Sequence, residues 1–182
     1  MSIEAKLLHL QAIQNLLAPY RFLYCVDLEA TCDEIGESES PRALTVLPDQ
    51  METSEIDLVV TDLESLEIVD EFQSFVRPQI NPILTEFFRQ LTSIQQADID
   101  GAGIYVEAGQ KLGAFIARYP NAAWHRGVAM MQGSLSETQG LLRALPYSKV
   151  CYIFNARKWH AGLYDNRPKG LKQTAETLGL VW

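Results

Sequence analysis

The sequence predicts an α/β fold, a mixed sheet flanked by helices. Three observations carry this. Strand-like segments with a period of two come first, between Phe22 and Val76. Segments with a helical period follow from Ile83 onward. The chain is 182 residues long, 47% hydrophobic and 21% charged, which suits one domain with its own core.

Residues 1–18 have Ile3, Leu7, Leu10 and Leu17 at helical spacing, with an early acid at Glu4, and Pro19 follows. This predicts an N-terminal amphipathic helix, unlike a secretory signal with its basic start and unbroken apolar middle. Residues 19–182 are then the main domain. Phe22 to Leu28 is short, apolar and aromatic and predicts a buried strand; residues 33–50, rich in acids, Ser, Gly and Pro, predict a mobile loop. SEIDLVVTD and LEIVDEFQSFVRP flank Leu63, Glu64 and Ser65, and Ile56, Leu58 and Val60 continue the period of two. Three consecutive antiparallel strands are the simplest arrangement.

The period then changes. ILTEFFRQL, SIQQADIDG and VEAGQKLGAFIARYP read as helices, the last with Val106, Leu112, Phe115 and Ile116 on one stripe and Pro120 closing it. A short strand is expected near Ala122, and either a strand or a buried helix start at Val150 to Phe154. GLKQTAETLG gives a last helix, stopped by Gly179. No internal repeat is present.

Composition narrows the function classes. No apolar run approaches the about 20 residues of a membrane span, so a membrane protein is not expected. Cys25, Cys32 and Cys151 are odd in number and lack a CxxC spacing, which argues against zinc and a disulfide framework. Free thiols suit a reducing, cytoplasmic location. The net charge of −8 argues against coating nucleic acid through bulk electrostatics, but not against handling it through bound metal. Charge is also uneven. Arg143 to Lys172 holds seven basic residues and one acid, Asp165, which reads as a solvated basic face or a phosphate-contacting surface.

Asp27 and Glu29, in YCVDLEATCDE, are the candidate reactive groups. Residues i and i+2 of a strand point to one face, roughly 6.7 Å apart along it. Two carboxylates so placed either decorate the exposed end of a strand or share divalent cations. Oxygen donors suit Mg²⁺ or Mn²⁺, and a two-metal site serves phosphodiester hydrolysis.

YCVDLEATCDE, the long stretch from METSEIDLVV to QQADIDGA, and RPKGLKQTAETLGL together resemble the Eri-type branch of the DEDDh 3′–5′ exonucleases. These are ribonuclease H-like proteins, and the resemblance runs from about Arg21 to Leu180. It implies a ribonuclease H-like fold and hydrolysis of phosphodiester bonds from the 3′ end of single-stranded nucleic acid, RNA ahead of DNA. It further implies two metal ions with Asp27 and Glu29 as catalytic ligands, and a histidine general base. Ala30 and Thr31 would lie at the terminal nucleotide, and Leu91, Thr92 and Ile94 would pack on its sugar and base.

The sequence departs from that pattern twice. The family's second motif, Ser-Trp-Gly-Asp-Tyr-Asp, is replaced by Ala123, Trp124, His125, Arg126, Gly127 and Val128, and no acid lies between Tyr119 and Glu137. The third, His-x-x-x-x-Asp, belongs after the GLKQ helix, where the chain ends at Trp182; a C-terminally truncated domain is therefore expected. His160 and Asp165 have the motif's internal spacing but precede RPKGLKQ, so the match reads as chance. His125 reads as incidental, and Glu55 and Asp57 as supports of their strand or exposed acids rather than ligands.

The genetic code offers a cause. Read from the third base of the Trp124 codon, WHRGVAMMQG can encode Ala-Ser-Trp-Gly-x-Tyr-Asp-Ala. The hypothesis is a compensated pair of frameshifts over roughly Ala122 to Leu141; codons at Arg126 and Ala129 that cannot yield Trp and Tyr would sink it. As written, the chain is expected to have very low activity. The alternatives are a non-catalytic nucleic-acid-binding module that uses Arg143 to Lys172, or a degenerate exonuclease copy.

Overall fold

The computed structural model describes residues 2–36, 42–126, 153–154, 156–164 and 171–179. Five strands form one sheet in the order β3-β2-β1-β4-β5. These are β1 (Phe22–Ala30), β2 (Thr53–Asp62), β3 (Ile68–Phe75), β4 (Ala122–Arg126) and β5 (Ile153–Phe154). The first three pair antiparallel, as their period of two and short connections predict; β4 joins β1, and β5 joins β4, in parallel. The mixed sheet with flanking helices is the architecture expected from the order of periods.

The helices are α1 (Ile3–Leu17), α2 (Glu86–Thr92), α3 (Gln96–Asp100), α4 (Tyr105–Ile116), α5 (Ala156–Tyr164) and α6 (Leu171–Thr177). Even-numbered residues of β1 and β2, Tyr24, Val26, Leu28, Ile56, Leu58 and Val60, pack against Ala108, Leu112, Phe115 and Ile116 of α4. Their alternation buries one face of the sheet and leaves the odd-numbered residues on the other. The Tyr24 hydroxyl ties the layers together, reaching the carbonyls of Ile116 at 3.0 Å and Tyr119 at 2.8 Å. A second cluster, of Cys32, Val46, Met51, Leu84, Phe88, Ile94 and Ile99, joins the end of β1 to α2 and α3.

Three expectations need correction. Val106 is exposed, and the inner stripe of α4 is Ala108, Leu112, Phe115 and Ile116, because Val106 lies on the far side of the helix at 100° per residue. On α1 the extent is as expected, yet Ile3, Leu7 and Leu10 are exposed while Ala5, His9, Ile13 and Leu17 turn inward. The contact responsible is with α5: His9 Nε2 donates to the Trp159 carbonyl at 3.2 Å, over a face kept clear by Gly162. Nor is the second half of the 33–50 loop free, since Asp33 binds Arg42 and the Thr45 amide and Val46 is buried. Residues 150–152 of the Val150–Phe154 segment, and the basic residues Arg143, Lys149, Arg167 and Lys169, lie outside the described residues.

Candidate functional site

The face of the sheet opposite α4 carries the acids. Asp27 and Glu29 share it through the strand's period of two, and the antiparallel register sets Asp57 directly across from Asp27 and Glu55 across from Glu29. A register irregularity follows at once: Glu29 faces Glu55 but Ala30 faces Thr53, so Ser54 is a bulge on β2 beside the pair. Four carboxylates thus share one face where the β1–β2 ladder bends. Glu55 is 7% exposed and accepts from Gln73 Nε2 at 2.8 Å. Asp27 accepts only from the Leu28 amide, at 3.1 Å, among the hydrogen bonds of the described residues.

Crowding acids cost one another their charge. Burial first, then the charges of Asp27, Glu55 and Asp57, pushes the Glu29 carboxyl up to about 7. Asp57 is pushed up to about 6 by burial and by Glu55 and Asp27. Desolvation also raises Glu55, against the Gln73 hydrogen bond, and Asp27, against the Leu28 amide, although the Asp27 side chain reaches the surface. A divalent cation is the electrostatic complement of such a patch, and its all-oxygen donors fit Mg²⁺ or Mn²⁺. The number of donors is short. Among the described residues no three acids, histidines or cysteines converge on one point that would hold an ion.

The other expected parts can be placed in turn. β4 lies in register beside β1, with His125 at the position next to Cys25, and carries no acid. Residues 127–152, where a displaced second motif would fall, are outside the described residues. His160 is on α5, its ring stacked on Tyr164 at 4.6 Å, and its buried Nε2 has no hydrogen-bond partner among the described residues; Asp165 is outside the described residues.

The candidate nucleotide residues come together at the end of β1. The Thr85 hydroxyl, which caps α2 by accepting from the Phe88 amide, donates to the Cys32 carbonyl at 2.6 Å and so ties α2 to the strand end. Ala30 packs on the cluster that contains Ile94. Thr31 is 2% exposed, and its hydroxyl accepts from the Glu52 amide at 3.0 Å while its own amide donates to the Glu52 carbonyl at 2.8 Å. The Thr92 hydroxyl donates to the Phe88 carbonyl and accepts from the Ile94 amide, shaping the turn at Ser93, whose φ is +65°. Leu91, 64% exposed, is the apolar side chain of this group that faces outward.

One contributor escaped the sequence reading. The Glu52 carboxylate accepts from the amides of Gln79, Ile80 and Asn81 at 2.7 to 3.0 Å, fixing the loop after β3 against the strand end. Glu55 and Asp57, read from the sequence as supports of their strand or exposed acids, extend the acidic patch across the β1–β2 ladder, Glu55-x-Asp57 repeating the i, i+2 spacing of Asp27-x-Glu29.

No protein-family model matches the chain. It is 36% identical over 101 residues to the 3′-5′ exonuclease eri1 of Schizosaccharomyces pombe, a match covering 56% of this chain and 31% of that protein. To the 3′-5′ exoribonuclease 1 of Rattus norvegicus it is 29% identical over 140 residues, covering 77% of this chain and 38% of the relative. The chain therefore spans about a third of the length of these relatives. Among solved structures, the nuclease domain of 3′hExo, a DEDDh family member, bound to rAMP, superposes with a TM-score of 0.66 at 26% identity, over 88% of this chain and 80% of that one.

Proposed function

We propose that the chain is an Eri-type DEDDh 3′–5′ exonuclease, as its likeness to these relatives supports, and that the acidic end of β1 is the metal-binding half of a site for hydrolysis at the 3′ end of single-stranded nucleic acid, RNA ahead of DNA. The observation that carries this is the shared face of Asp27 and Glu29 on the central strand, at the point where α2 is tied to the strand end. These two carboxylates would hold the cation, whose charge, when bound, polarises the scissile phosphate and lowers the pKa of a coordinated water. Leu91 offers an apolar face to the terminal nucleoside, and Thr31, its hydroxyl already engaged by Glu52, contributes by holding the strand end in place. The surroundings are proposed to be cytoplasmic, in keeping with free Cys25 and Cys32.

Turnover should be very low. Although Glu55 and Asp57 stand across from the pair, no three acids, histidines or cysteines among the described residues converge on one point, so little is left to hold hydroxide in line with the phosphate. The same shortage favours a second reading, in which the chain retains 3′ ends without cleaving them. With 3′-labelled single-stranded RNA and Mg²⁺, the purified chain should bind the RNA and release no detectable mononucleotide. Robust release that Asp27→Ala abolishes would show a complete site. Absence of RNA binding, with or without cation, would overturn both readings.

A further inference from the structure

Beside this site an open pocket of about 520 Å³ lies between α2 and the loop that follows β1. Its floor is fixed. The Asp33 carboxylate, 1% exposed, accepts from both terminal nitrogens of Arg42 at 2.6 and 2.9 Å and from the Thr45 amide at 2.7 Å. The walls are Ile83, Phe87, Glu86 and Gln90. Ile83 is 70% exposed, an apolar side chain turned to the opening, and Phe87 is half-buried behind it. Phe87 and Leu91 are one turn apart on α2, about 6 Å along its axis, so the cavity continues the surface that Leu91 offers to the terminal nucleoside.

The chemistry selects the occupant. Arg42 is already committed to Asp33, and Glu86 brings a negative charge to the wall, so a phosphate would be repelled. Ile83 and Phe87 give one part of an otherwise polar lining an apolar and aromatic face, which with the flat ion pair suits a planar ring instead. The Glu86 carboxylate accepts one hydrogen bond, from Gln90 Nε2 at 3.1 Å, and a carboxylate has lone pairs for more. It pairs with a ring amino group and repels a ring carbonyl.

We propose that this cavity binds the base of the nucleotide next to the 3′-terminal one, and prefers a base with an exocyclic amino group over uracil. The assignment rests on the nucleic-acid reading of the neighbouring site. A cavity of this size falls in the range of about 300 to 1,000 Å³ that accommodates small organic ligands, ample for one base.

The test is fluorescence anisotropy of the full chain with 5′-labelled RNA hexamers that differ only in the penultimate base, in Ca²⁺. Hexamers with penultimate adenine or cytosine should bind about three- to tenfold more tightly than the uracil one, and Glu86→Ala should erase that difference. Phe87→Ala should weaken binding about tenfold. Because Phe87 also packs inward, Ile83→Asp, at an exposed position, should weaken binding without unfolding the chain. Affinities independent of the penultimate base and unchanged by Ile83→Asp and Glu86→Ala, while Leu91→Asp still weakens them, would overturn the cavity assignment and leave the terminal site standing. No binding of any hexamer would overturn both.

Discussion

Asp57→Asn should stabilise the chain, and most strongly above the acid range. Asp57 stands directly opposite Asp27, and its charge helps push Glu29 to about 7 while its own carboxyl is pushed to about 6. Both lie above their ordinary values of 4.5 and 3.8 in the folded chain, so folding takes up protons. The penalty is complete above about 7 and is relieved as pH falls through about 7 and about 6 towards the unfolded values. Cross-strand repulsion of like charges alone is worth up to about 1 kcal/mol. Relieving the whole displacement of Asp57, at about 1.4 kcal/mol per tenfold step, sets an upper bound of about 3 kcal/mol. Urea unfolding followed by circular dichroism at pH 8 and pH 5 measures it. Asp57→Asn should raise the midpoint at pH 8, and by about half as much at pH 5, where the unfolded carboxyl is still ionised. A loss of stability at both pH values would refute the reasoning, since it would mean that the Asp57 charge has a favourable partner.

Tyr24→Phe should destabilise by about 1–2 kcal/mol, because two carbonyls at the end of α4 lose their shared buried donor; urea unfolding reads the change. Glu52→Ala removes the acceptor of three backbone amides and should cost about 3 kcal/mol, with faster proteolysis near Gln79 to Asn81 than in the parent chain.

Much of the sheet was legible because its information is local. The period of two from Phe22 and from Ile56 fixes which residues face α4, and the same period puts Asp27 and Glu29 together on the other face. What escaped depends on pairing between distant segments. Nothing near Asp27 announces that Asp57 will sit across from it; that follows from register, which the β2 bulge at Ser54 then shifts. The 33–50 segment has the composition of a free loop, yet a bidentate pair between Asp33 and Arg42 closes it, and no periodicity encodes such a pair. On α1 two helical stripes overlap at Leu17, and hydrophobicity favoured Ile3, Leu7 and Leu10. The inward stripe is set instead by His9 meeting the Trp159 carbonyl where Gly162 leaves room. The departure from the second motif is read from the sequence alone: β4, Ala122–Arg126, carries no acid, its register with β1 ends at Val26, and the residues that follow it lie outside the described residues.

Titration with Mn²⁺, followed by calorimetry or water-proton relaxation, tests the half-site most directly. Two carboxylates with no third ligand converging on the same point should give weak binding, with a dissociation constant of about a millimolar, lost in Asp27→Ala and in Glu29→Ala. Micromolar binding of two ions, or weak binding that survives both substitutions, would contradict the account: the first would mean that the missing ligands are present, the second that Asp27 and Glu29 do not hold the metal.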